Sequence, residues 1–142
     1  MYQPLRLSVL YCEFYFNSYA MSHFSRKSYT TVKVQLQADG LDSILLSRMD
    51  TIFMFCYAIG SFFSGNIGDR YHSPTVIGVA LVGSGLCVAV LVGGIYADIP
   101  HAGVAANQVF CMTTWLVHGL LQSVGGPVGT SIMGNWFGAK NR

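Results

Sequence analysis

Tyr11, Tyr15, Ser18, Ser22, Arg26, Tyr29 and Lys33 recur at steps of four, three, four, four, three and four residues. That spacing places them on one face of a helix. Tyr19, His23 and Lys27 form a neighbouring row. The available chemistry is ion pairing and hydrogen bonding rather than bond making. Glu13 stands alone, with no carboxylate pair and no nucleophile elbow in the chain. Cys12, Cys56, Cys87 and Cys111 are far apart in apolar stretches, without metal-ligand spacing. They read as buried free thiols rather than a zinc site or a disulfide framework. The chain does not read as an enzyme, and no metal or cofactor is implied.

The polar stripe needs an element to carry it, and composition says what kind. Only 10% of the 142 residues are charged, against about 25% in soluble domains. Thr51 to Gly68 is 18 residues without Asp, Glu, Lys or Arg, and Thr75 to Ala97 is 23 more. Each is long enough to cross a hydrocarbon core as a helix. These runs predict an integral membrane protein. A spanning helix with a polar stripe turns it to a water-filled cavity or a bundle interior, not to lipid. The net charge of +2 does not suggest nucleic acid. Glu13 interrupts the first apolar stretch too early for a cleavable signal.

Four helices are predicted, at about 7–37, 51–68, 74–97 and 107–136. Ala38 to Asp50 reads as a loop. Ser61/Gly65, Ser64/Gly68 and Gly125/Gly129 are small-residue pairs that admit a close neighbour. The third helix holds nothing ionisable and reads as a packing or lipid-facing element; its Gly83-Ser84-Gly85 lacks the spacing of a dinucleotide loop. Gly125-Gly126-Pro127 predicts a kink in the fourth. Trp136 and Phe137 suit a membrane interface. Arg6, Arg70, Lys140 and Arg142, against one Asp69, fall on one side of such a bundle; Arg48, against Asp39, Asp42, Asp50 and Asp98, falls on the other. The positive-inside rule puts both ends and the Gly65–Pro74 hinge in the cytoplasm.

Gly65-Asn66-Ile67-Gly68-Asp69-Arg70, a Gly-x-x-x-Asp-Arg pattern between two helices, resembles the signature of the major facilitator superfamily. In that family the acid and base help latch the cytoplasmic gate, which implies a gating role for Gly65, Asp69 and Arg70. The family's further basic residue is missing, since Tyr71-His72-Ser73-Pro74 follows. Ser25-Arg26-Lys27-Ser28, Met49-Asp50-Thr51-Ile52-Phe53 and Tyr57-Ala58-Ile59-Gly60 are similar to organophosphate:phosphate antiporters. So are Gly119-Leu120-Leu121-Gln122-Ser123 and Met133-Gly134-Asn135-Trp136-Phe137-Gly138. The nearest likeness is to the eukaryotic sugar-phosphate exchangers, and it covers the chain from about Leu10 onward.

The resemblance implies that Arg26 binds the substrate phosphate, which a permanently charged guanidinium fork suits. It makes Lys27, Tyr19, Tyr57 and Gln122 further substrate-binding residues. Arg26 could instead be a snorkelling anchor near a helix end. Lys27, Tyr57 and Gln122 could equally be polar packing inside a bundle. Ser61 stands where bacterial glycerol-phosphate relatives carry a second basic residue, and Gly126 where Trp usually precedes Pro127.

The implied fold is an all-α membrane protein, with four transmembrane helices corresponding to the first four of a twelve-helix facilitator. The implied function is exchange of sugar phosphate or glycerol 3-phosphate for inorganic phosphate by alternating access, in the endoplasmic reticulum or another endomembrane. The chain reads as an N-terminal portion of such a carrier, which alone would not transport. The alternative is a non-transporting four-helix membrane protein that associates with a full-length carrier. The partners implied are these phosphates, the lipid bilayer, and the missing half or a full-length carrier.

Overall fold

The computed structural model describes residues 5–97 and 104–137. Five helices follow one another: α1 (Leu5–Ala38), α2 (Ser43–Arg70), α3 (Ser73–Tyr96), α4 (Val104–Gln122) and α5 (Gly125–Phe137). With α4 and α5, parted by two residues, counted as one, they make four spans of an all-α bundle. Among the described residues, α2 and α3 are long and apolar enough to cross a membrane. Asp98, Lys140 and Arg142 of the charge argument lie outside the described residues, as do the side chains of Arg6, Trp136 and Phe137.

The second helix starts at Ser43, not near Thr51, so most of the expected 38–50 loop is helical. Asp42 supplies the cap: its carboxylate accepts from the Ile44 amide at 3.0 Å, satisfying a donor that the first turn leaves open. Leu41, Leu45, Leu46 and Met49 are all buried. Their helical period is real, but Arg48 and Asp50, interspersed among them, broke the charge-free run and concealed it. The reversal between α1 and α2 is made at Gly40, with φ of 98°, a conformation that favours glycine.

The fourth span breaks at Ser123–Val124, between α4 and α5, where the glycine–proline run predicted a kink. Pro127 has no N–H to give to the carbonyl of Ser123, four residues earlier. The Ser64 hydroxyl of α2 donates to that carbonyl at 3.3 Å instead. Ser64 and Gly68 are buried there, and a Cβ on Gly68 would lie 3.0 Å from Val128. Ser64/Gly68 therefore does serve close packing. Ser61/Gly65 does not, since a Cβ on Gly65 would meet nothing within 4 Å.

The main core joins α1, α2, α3 and α4 through Tyr29, Leu46, Met49, Phe53, Leu91, Cys111 and Trp115. A smaller one joins α3 and α5 through Ile77, Val128 and Ile132. Cys56 and Cys111 are buried, whereas Cys12 and Cys87 are only half-buried; all four are free.

Candidate functional site

The polar stripe of α1 faces α2 and α4 at its middle. Arg26 lies between them with its guanidinium 4.9 Å from the centre of the Phe53 ring. One of its nitrogens donates to the Met54 sulfur at 3.0 Å. Both partners are neutral, and no carboxylate pairs with Arg26 among the described residues. A cation over an aromatic face gains about 0.5–2 kcal/mol, less than a phosphate or carboxylate partner offers through a fork of charge-assisted bonds. The guanidinium borders a cavity of about 250 Å³ lined by Arg26, Tyr29, Asp50, Phe53, Met54 and Trp115.

The walls of this cavity are fixed by packing. Tyr29 is buried; its hydroxyl donates to the Leu46 carbonyl at 3.2 Å, and its ring lies 4.4 Å from that of Trp115. Trp115 stacks on His118 at 4.8 Å. His118 is fully buried, with Nδ1 and the Ser84 hydroxyl 3.2 Å apart. Gly119 lets α4 meet α2 closely enough to hold Phe53 beneath Arg26: a Cβ there would come 2.7 Å from the Phe53 carbonyl oxygen. Two turns along α1 from Arg26, Lys33 is neutralised by Asp50 of α2.

The other predicted binding residues are not gathered around Arg26. Lys27 is exposed, on a different face of α1. Tyr19 is 39% exposed; it packs edge-on to His23 and lies beside Gly125. Tyr57 is half-buried and stacks on the far side of the aromatic group, 6.2 Å from Phe53. Gln122 is committed elsewhere. Its amide nitrogen reaches the Ser22 carbonyl at 2.9 Å, the Ser25 hydroxyl at 2.8 Å and the Ser84 hydroxyl at 3.1 Å. It ties α1, α3 and α4 together, so α3 is not solely a lipid-facing helix. Phe53, Trp115, Asp50 and His118 complete the surroundings of Arg26. They come from two helices, α2 and α4, and nothing local in the sequence marked which helix each would meet.

The hinge is built differently. Arg70 is the last residue of α2, and the Tyr71 amide closes the helix on the Ile67 carbonyl at 3.0 Å. The Ser73 hydroxyl donates back to the Gly68 carbonyl at 3.3 Å, and Pro74 lies in the first turn of α3, where a missing N–H costs nothing. Asp69 accepts from the Ser131 hydroxyl of α5 at 3.2 Å. Neither Asp69 nor Arg70 joins an ion pair among the described residues.

Among the described residues Arg26 thus has neutral contacts only, beside a cavity that Asp50 also lines. The chain matches the Major Facilitator Superfamily model over residues 15–142 and belongs to that superfamily. It is 32% identical to sugar phosphate exchanger 3 of Xenopus laevis, over 89% of this chain and 30% of that protein. It is 31% identical to the human protein of the same name, with the same coverage. It is also 31% identical to putative glycerol-3-phosphate transporter 2 of Arabidopsis thaliana, over 89% of this chain and 26% of that protein. The chain thus spans less than a third of the length of these relatives. No solved structure matches it.

Proposed function

We propose that this chain supplies the first four helices of a carrier that exchanges a sugar phosphate or glycerol 3-phosphate for inorganic phosphate. The observation that carries the reading is Arg26, with neutral partners only and a cavity beside it. The names of the relatives supply the ester: a sugar phosphate exchanger and a glycerol-3-phosphate transporter. Phosphate at Arg26 replaces a weak cation–π contact by charge-assisted bonds. In a complete facilitator that gain favours closure of the two halves around the solute, and alternating access follows by rocking of one half on the other.

The remaining residues take graded roles. Tyr57 borders the aromatic group and can donate to the solute. Tyr19 and Lys27 lie along α1, where they act on the path to Arg26 rather than in the cavity itself. Gln122 acts by holding α1 in place. Gly65, Asp69 and Arg70 form the gating turn, with Asp69 engaged by Ser131 in the state described. The carrier acts in an endomembrane such as the endoplasmic reticulum.

The test is titration of the chain in lipid nanodiscs with inorganic phosphate, followed by tryptophan emission, since Trp115 lines the cavity. Emission changes saturably in the unsubstituted chain. Arg26→Ala shifts the response to about hundredfold higher phosphate, and Arg26→Lys, which keeps the charge but loses the fork, shifts it less. An unaltered response in Arg26→Ala overturns the reading. Liposomes holding residues 1–142 alone show no phosphate counterflow; counterflow lost in Arg26→Ala would remove the need for further helices.

A further inference from the structure

The cavity that holds Arg26 also holds a carboxylate. Asp50 lines it from α2, one turn before Met54, which Arg26 touches. Four helical residues rise about 6 Å, comparable to the reach from a phosphate to a hydroxyl two carbons away. Lys33 engages only Oδ2 of Asp50, whose side chain is 49% exposed. Oδ1 is therefore available, on a carboxylate whose position the ammonium holds. An ionised carboxylate accepts hydrogen bonds and donates none. It repels phosphate oxygens and binds hydroxyls strongly. Phe53, Trp115 and Tyr29 lie in the same cavity and offer apolar surface to a carbon skeleton between the two polar ends.

We propose that Asp50 is a specificity-determining residue, accepting a hydrogen bond from a hydroxyl of a phosphorylated polyol whose phosphate sits at Arg26. Inorganic phosphate has no polyol end and feels only the repulsion, which Lys33 partly offsets. Asp50 thereby sets the preference for the ester over inorganic phosphate. This rests on the phosphate role of Arg26, which the controls below test separately.

The experiment uses the whole chain in nanodiscs, in a Trp136→Phe background so that emission comes from Trp115, the other tryptophan of the chain. Glycerol 3-phosphate and inorganic phosphate are titrated in turn. Asp50→Asn weakens glycerol 3-phosphate by about tenfold and leaves inorganic phosphate unchanged or tighter. A carboxylate that merely ties α1 to α2 would move both ligands alike. Asp50→Glu keeps the pairing with Lys33 but displaces the carboxylate by a methylene; it lowers the ester preference too, and decides the matter if Asp50→Asn does not fold. An unchanged ratio of the two affinities in the folded variant overturns the proposal while leaving Arg26 intact. If inorganic phosphate gives no response, or Arg26→Ala leaves it unshifted, the reading of Arg26 falls and this proposal with it.

Discussion

Two regions of this molecule present charge in opposite ways. At the Gly65–Pro74 hinge, Asp69 and Arg70 are exposed at a helix end, where solvent screens them. Around Arg26, aromatic and thioether groups hold a half-buried cation without a counter-ion. The hinge motif is the stronger signature in the sequence, yet its charges have little to do energetically in the state described. The pocket motif is two residues, Arg26 and Lys27, of which only one reaches the cavity. The contrast teaches that a signature marks a family, while the proposal of a site rests on a charge left unpaired within the fold.

The largest effect that can break this comparison is on ligand binding. Arg26→Ala removes the charge-assisted bonds and lowers phosphate affinity by about a hundredfold, or about 3 kcal/mol, in the nanodisc titration. If Arg70→Ala costs as much, the pocket and the hinge do not differ in their part in binding. Next comes Gly119→Ala. Its Cβ would lie 2.7 Å from the Phe53 carbonyl oxygen, a backbone atom that cannot step aside without moving α2. A loss of about 2 kcal/mol is expected, seen as a lower thermal midpoint by circular dichroism, with weaker phosphate binding because Phe53 shifts beneath Arg26.

Gln122→Ala should cost about 1–2 kcal/mol of stability, since it removes the hydrogen bonds that tie α4 to α1 and α3. It should lower phosphate affinity less than Arg26→Ala does; an equal loss would put Gln122 in contact with the solute. The smallest effects fall at the hinge. Gly65→Ala meets no atom within 4 Å and should be neutral, or stabilising by up to about 1 kcal/mol through helix propensity. Gly68→Ala, facing Val128 at 3.0 Å, should destabilise. A Gly65→Ala variant as unstable as Gly68→Ala would show that the two glycines do the same job.

Much of this was legible in the residues. The steps of four and three from Tyr11 to Lys33 placed Arg26 on the polar face of α1, because helical period depends only on local geometry. Pro127 with its two preceding glycines located the break in the fourth span, because a missing N–H acts on the backbone four residues away. The start of α2 lies before the charge-free run for an equally physical reason: Ser43 to Asp50 is helix that carries Arg48 and Asp50, and Asp50 pairs with Lys33 of α1 instead of facing lipid.

Pairing between helices was not legible. Lys33 and Asp50 were both visible, but nothing in their spacing joined them. Ser84, on a helix whose sequence reads as a packing or lipid-facing element, is a partner of both Gln122 and His118. The sequence by itself determined a helical membrane protein of the major facilitator type, with one arginine on an inward stripe, since composition, period and motif are local properties. Only the tertiary structure decided that Arg26 meets Phe53 and Met54 rather than an acid, and that Asp50 shares its cavity while Lys27 does not. Those relations depend on the register and rotation of one helix against another, which side-chain packing and close glycine contacts set over distances no sequence window spans.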